Sequence, residues 1–123
     1  MTPVPQKLLL VDDDPAGRAM LALSLRQAGF EVVTAGNGRE ALSAVALEPF
    51  DWMITDCRMF PMNGFELARK TLELRPGIGI IMISAAHCAR DAQDLPIAGF
   101  ISKPVALDRL LRRVTVGYVD VSG

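Results

Sequence analysis

Short apolar runs alternate along the chain with longer stretches in which apolar and polar residues recur at helical spacing. Lys7 to Val11 reads as a buried strand, and the Asp14-Pro15 step after it joins a helix N-cap to a first-turn proline. A helix is predicted over Pro15 to Ala28, with Ala16, Ala19, Met20 and Leu23 at helical spacing and Gly29 as the stop. Met20 and Leu23 are expected mainly in the core, as are Leu107, Leu110, Leu111 and Val114 of the last helix. Glu31 to Ala35 is a β-branched strand, Gly38 to Leu47 a second helix, and Phe50 to Thr55 a third strand running into Asp56. The turn formers Pro61, Asn63 and Gly64 separate that strand from a third helix, Phe65 to Leu74, which Pro76-Gly77 closes. Ile78 to Ser84 is almost wholly apolar, as expected of a parallel strand covered on both faces. Ala85 to Pro96 is expected as a short or irregular fourth helix, thin in apolar residues and cut by Pro96. Ala98 to Ser102 is a fifth strand, and Val105 to Val116 the last helix.

Strands alternating with helices predict an α/β fold: a doubly wound, five-stranded parallel sheet with helices on both faces. Right-handed crossovers leave few strand orders, and the flavodoxin-like 2-1-3-4-5 is the expected one. The 123 residues are read as one domain, with 118–123 as a tail or the start of a linker. Half the residues are apolar and the formal charge is −1, with Lys and Arg scattered. This gives no sign of a polyanion-binding surface, so direct nucleic-acid binding is not expected. The apolar runs are too short to cross a bilayer, and no secretory signal is visible at the N-terminus. Cys57 and Cys88 lack zinc or redox-motif spacing and read as reduced thiols, so the expected location is cytoplasmic.

In an open parallel sheet, ligands gather at the carboxyl ends of the strands. Those ends carry Asp12, Asp13 and Asp14 after the first strand, Asp56 after the third, Ser84 at the fourth, and Lys103-Pro104 after the fifth. Crowded carboxylates repel, so one must be neutralised or a cation must sit among them. Hard oxygen ligands without His or Cys select a magnesium-like ion, and such a site usually serves a phosphoryl group. Lys103 supplies a compact positive charge, Ser84 a hydroxyl, and a remaining carboxylate the nucleophile of an acyl phosphate. Asp14 is expected to act only as a helix cap. His87 is read as a surface residue, and Cys57 as pointing away from Asp56 by strand alternation.

Leu8 to Pro15, Asp51 to Asp56, Met59 with Asn63-Gly64, Ile81 to Ala85, and Lys103-Pro104 together resemble the receiver domain of bacterial two-component response regulators. The resemblance runs in order through nearly the whole chain. It implies that Asp56 accepts a phosphoryl group from a sensor histidine kinase or phosphotransfer protein, with Mg2+ required, and that an output domain or protein reads the result. It implies direct metal ligation by Asp13 and Asp56, ligation through water by Asp12, and a further ligand from the Arg58 backbone carbonyl. Ser84 and Lys103 match the family's hydroxyl and lysine, Ser84 and Phe100 its switch pair, and Pro104 a cis-proline. Phosphoryl transfer and dephosphorylation would be self-catalysed, so no separate enzymatic activity is expected.

Two departures stand out. Phe60 follows Met59 where the family has proline, with Pro61 one place late. Ser84 and Lys103 lie a few residues closer than usual, the deficit falling on the fourth helix. The shortened helix motivates an alternative, a receiver-like module acting by contact without phosphorylation. A third reading, a haloacid-dehalogenase-like phosphatase, rests on Asp12-Asp13-Asp14 but lacks the residue expected after that motif and a late acidic pair.

Overall fold

The computed structural model describes residues 6–84 and 95–119, with side chains described as far as residue 114. The elements are β1 (Lys7–Val11), α1 (Pro15–Gln27), β2 (Glu31–Ala35), α2 (Gly38–Leu47), β3 (Trp52–Asp56), α3 (Gly64–Leu74), β4 (Gly79–Ser84), β5 (Gly99–Ser102) and α4 (Leu107–Val119). The five strands form one parallel sheet in the order β2-β1-β3-β4-β5, as the sequence predicts. Most of the segment expected as a fourth helix, including His87 and Cys88, lies outside the described residues.

Because helices cover both faces, nearly every residue of the central strands is buried, and alternation sends neighbours to opposite cores. Leu9, Val11, Met53, Ile80 and Met82 point to one side, where Ala41 and Val45 of α2 and Phe65, Leu67 and Ala68 of α3 meet them. Leu8, Leu10, Ile54, Ile81 and Ile83 point to the other, against Ala22 and Leu25 of α1 and Leu110 and Val114 of α4.

The inward face of α1 differs from the one expected. Met20 and Leu23 are 73% and 56% exposed, and Ala16 and Ala19 are exposed too. The helix carries apolar residues almost all round, so spacing alone does not choose a face. Packing chooses the stripe through Arg18, Ala22 and Leu25, at i, i+4 and i+7. Gly29 ends α1 at φ 102°, and its N–H and that of Phe30 donate to the carbonyls of Arg26 and Leu25. That is a Schellman closure, which favours glycine at the left-handed position.

Candidate functional site

The register of the two central strands fixes the site. Val11 pairs with Thr55, so Asp12 and Asp56 stand at the same level of the sheet's carboxyl edge. Asp56 is only 6% exposed, Asp12 is half-buried and Asp13 is exposed. One carboxylate oxygen from each of the three lies within 4.8 Å of the others. Asp14 stands apart from this group: its side chain accepts from the Gly17 N–H at 3.2 Å and caps α1.

On the other side of Asp56, β4 and β5 bring up the cation. Asp56 pairs with Ile83, so Ser84 lies one step further along β4, buried and in register with Ser102. The Lys103 N–H donates to the Ser84 carbonyl at 2.8 Å, prolonging the β4–β5 ladder. Lys103 Nζ then reaches Asp56 Oδ2 at 2.9 Å. The Lys103–Pro104 peptide is cis. Phe100 pairs with Met82 and packs, half-buried, against the core on the α2–α3 side.

The β3–α3 loop closes over the acceptor. The Arg58 N–H donates to Asp56 Oδ1 at 3.3 Å, which brings the Arg58 peptide beside the carboxylate. Gly64 begins α3 against the backbone of Asp56: a Cβ there would overlap the Asp56 carbonyl oxygen and lie 3.1 Å from Cys57 Cα. Met59 is buried, whereas Phe60 is 86% exposed and precedes a second cis peptide, Phe60–Pro61, which the sequence did not signal. Cys57 is buried in the core on the α2–α3 side.

Among the described residues, charge at this carboxylate cluster is unbalanced, with three carboxylates against the ammonium of Lys103. Burial raises the Asp12 pKa above its ordinary value. The Asp14 N–H and the Lys103 charge oppose that rise, and the charges of Asp56 and Asp13 add to it. Burial works against the charge on Lys103, but its hydrogen bond to Asp56 and the charges of Asp56, Asp12 and Asp13 outweigh this and raise its pKa. A surplus of hard oxygen donors, with no His or Cys among them, fits a divalent cation such as Mg2+.

One contact was missed from sequence. Arg18 Nη1 donates to the Asp12 carbonyl at 2.7 Å. No sequence signal marked it, because the stripe that Arg18 shares with Ala22 and Leu25 is chosen by packing and not by spacing.

Comparison with known proteins bears on this arrangement. A family model described as the response regulator receiver domain matches residues 8–115. Response regulator receiver protein CpdR of Brucella abortus is 35% identical over 112 residues, which cover 89% of this chain and 93% of that one. Transcriptional regulatory protein GlrR of Escherichia coli is 37% identical over 117 residues, 93% of this chain but 26% of GlrR, so this chain spans about a quarter of that relative. Among solved structures, a response regulator receiver protein from Pseudomonas putida superposes with a TM-score of 0.85 at 32% identity, covering 94% of this chain and 99% of its own. Response regulator protein TrrA of Thermotoga maritima, solved in complex with Mg2+-BeF, superposes with a TM-score of 0.81 at 30% identity, covering 90% and 97%.

Proposed function

The chain belongs to the response regulator receiver domain family, the phosphoacceptor switches of two-component systems, and from that premise we propose that Asp56 is its phosphorylation site. The observation that carries this assignment is the position of Asp56, which is buried at the end of the central strand, held by Lys103 at 2.9 Å and flanked by Asp12 and Asp13. An Asp56 carboxylate oxygen attacks the phosphorus of a phosphohistidine on a sensor histidine kinase or phosphotransfer protein. The new O–P bond forms as the N–P bond breaks, and the imidazole leaves with its electron pair. The products are an aspartyl phosphate and a free histidine.

The residues around Asp56 divide the remaining work. Asp12, Asp13, Asp56 and the Arg58 carbonyl would hold Mg2+, which when bound supplies positive charge to the phosphoryl oxygens and offsets the carboxylates. Lys103 keeps its charge through neutral pH and passes from Asp56 Oδ2 to a phosphoryl oxygen as negative charge builds there. Ser84, at the end of β4, donates its hydroxyl to another phosphoryl oxygen. Its movement toward the phosphate is coupled to Phe100, two pairs back along the β4–β5 ladder, and this repacking alters affinity for an output partner. Such chemistry is mostly positioning and charge neutralisation, and a self-catalysed reaction needs no further catalytic group. The setting we assign is cytoplasmic; among the described residues, no helix is long and apolar enough to cross a membrane.

The test is incubation with acetyl phosphate and Mg2+, read by intact mass, with Asp56→Asn alongside. The parent gains one phosphoryl mass only when magnesium is present, and the variant gains none. An equal gain in Asp56→Asn moves the acceptor to another residue, and no gain in either chain favours a module that works by contact alone.

A further inference from the structure

The main chain that presents Asp12 and Asp13 is held from two directions, and one of the two holds belongs to no assigned part of the site. The Asp12 N–H donates to the Ala35 carbonyl at 3.2 Å, which extends the β1–β2 ladder by one step. The Asp12 carbonyl accepts from Arg18 Nη1 at 2.7 Å, a short, charge-assisted bond in a partly buried setting. The peptide between Asp12 and Asp13 is therefore fixed by a guanidinium reaching back from the first turns of α1. Arg18 makes no ion pair with any described carboxylate, Asp12 and Asp13 included. Its bond is to the backbone of the ligand residue.

A place has been made for this guanidinium at the end of β2. A Cβ on Gly36 would lie 3.0 Å from Arg18 Nη1 and 3.3 Å from Glu40 Oε1. Glu40 in turn accepts from the Gly36 N–H at 2.7 Å. It stands in the first turn of α2, where its own N–H donates to the Asn37 cap. Gly36 is thus pinned by Glu40, and its missing side chain leaves room for Arg18. The arrangement joins three elements, α1, the β2 end and the α2 start, at the single carbonyl that orients two acidic side chains.

We propose that Arg18, seated against Gly36, is a positioning residue for the metal ligands, setting Mg2+ affinity through the Asp12 backbone. The proposal rests on the reading of Asp12, Asp13 and Asp56 as the metal site and adds a residue outside it. Outer-shell groups that orient ligands commonly change metal affinity by roughly 10–100-fold when removed.

The experiment measures Mg2+ affinity by isothermal titration calorimetry for the parent, Arg18→Ala, Gly36→Ala and the double variant. Melting temperatures are taken for each in chelator and in excess Mg2+. Arg18→Ala is expected to bind Mg2+ about tenfold more weakly. Gly36→Ala, whose Cβ crowds the guanidinium and the Glu40 carboxylate but none of Asp12, Asp13 and Asp56, is expected to weaken binding as well. In the Arg18→Ala background the glycine substitution has no further effect, because both act through one contact. The Mg2+-induced rise in melting temperature shrinks in step with affinity, whereas a purely structural role lowers the melting temperature equally with and without metal. Unchanged Mg2+ affinity in a folded Arg18→Ala protein overturns the proposal, and so do additive losses from Arg18→Ala and Gly36→Ala. A parent that binds no Mg2+ overturns the metal reading itself and this inference with it, an outcome told apart by the parent titration alone.

Discussion

At the scale of single residues, Asp12 carries a conflict between folding and binding. Burial raises its pKa above 3.8, and the neighbouring charges of Asp56 and Asp13 push the same way. The folded protein therefore holds the Asp12 proton more tightly than the unfolded chain does. In the window from 3.8 up to the folded pKa, stability falls as pH rises, and at neutral pH that contribution is fully lost. Asp12→Asn keeps an oxygen for the Asp14 N–H, now at 3.0 Å, and removes the charge. In chelator at pH 7 this variant is expected to melt a few degrees higher than the parent, a gain that vanishes below about pH 3.8, where both side chains are neutral. In excess Mg2+ the order is expected to reverse, because the variant loses one of the proposed ligands. Thermal unfolding at the two pH values, with and without metal, checks this; a lower melting point in chelator would remove the conflict. Lys103 shows the opposite case. Its pKa is raised above 10.5, so its contribution is complete below that value and is lost only as pH climbs through the folded pKa.

Elements, in turn, are placed by local signals that the sequence shows openly, and this is why so much of the fold could be read. Asp14, Asn37 and Asn63 each cap a helix with a side-chain oxygen, and each stands where the N-cap preference puts it. Asn37→Ala and Asn63→Ala are each expected to cost about 1 kcal/mol in urea unfolding, since the Glu40 and Glu66 N–H groups lose their acceptors. Strand ends were harder to read. β3 starts at Trp52, two residues later than its apolar pattern suggests, and the Asp51 side chain just before it accepts from the Lys7 N–H at 2.7 Å. The face of α1 was not legible for a different reason: Met20 and Leu23 are as apolar as Ala22 and Leu25, and only the tertiary fit separates them. The acidic site was legible because strand ends converge by rule, whereas Arg18, Gly36 and Glu40 meet through loops whose approach no local pattern encodes.

Gly64 and Gly77 separate two uses of glycine at this scale. A Cβ at Gly64 would collide with the Asp56 carbonyl, and one at Gly77 would meet nothing within 4 Å. Gly64→Ala is expected to destabilise by about 1–3 kcal/mol and to slow the proposed phosphorylation of Asp56 by displacing the loop beside it. Gly77→Ala is expected to change stability by less than about 1 kcal/mol, with phosphorylation unaltered. Equal effects at the two positions would mean that the start of α3 can move away from β3 without loss.

For the whole molecule, the central sheet acts as a wall between two cores. Ile80 and Ile101 are both buried on neighbouring strands, yet Ile80 belongs to the core that holds residues of α2 and α3, and Ile101 to the core that holds residues of α1 and α4. Among the described residues they belong to separate core clusters, although β4 and β5 are hydrogen-bonded along their length. The acidic pocket sits on the edge of this wall, where both cores end, so the strands are one route by which a change in either core reaches it. Ile80→Val and Ile101→Val are each expected to cost about 0.5–1.5 kcal/mol, and the double variant the sum to within about 0.5 kcal/mol. Chemical unfolding of the four proteins measures this, with a common slope on denaturant as the check that one cooperative unit unfolds. A larger coupling would show that the sheet itself deforms between the two cores. In that event, the proposed phosphorylation at its edge has a route to both helical layers, and the proposed output need not be confined to the face that carries Phe100.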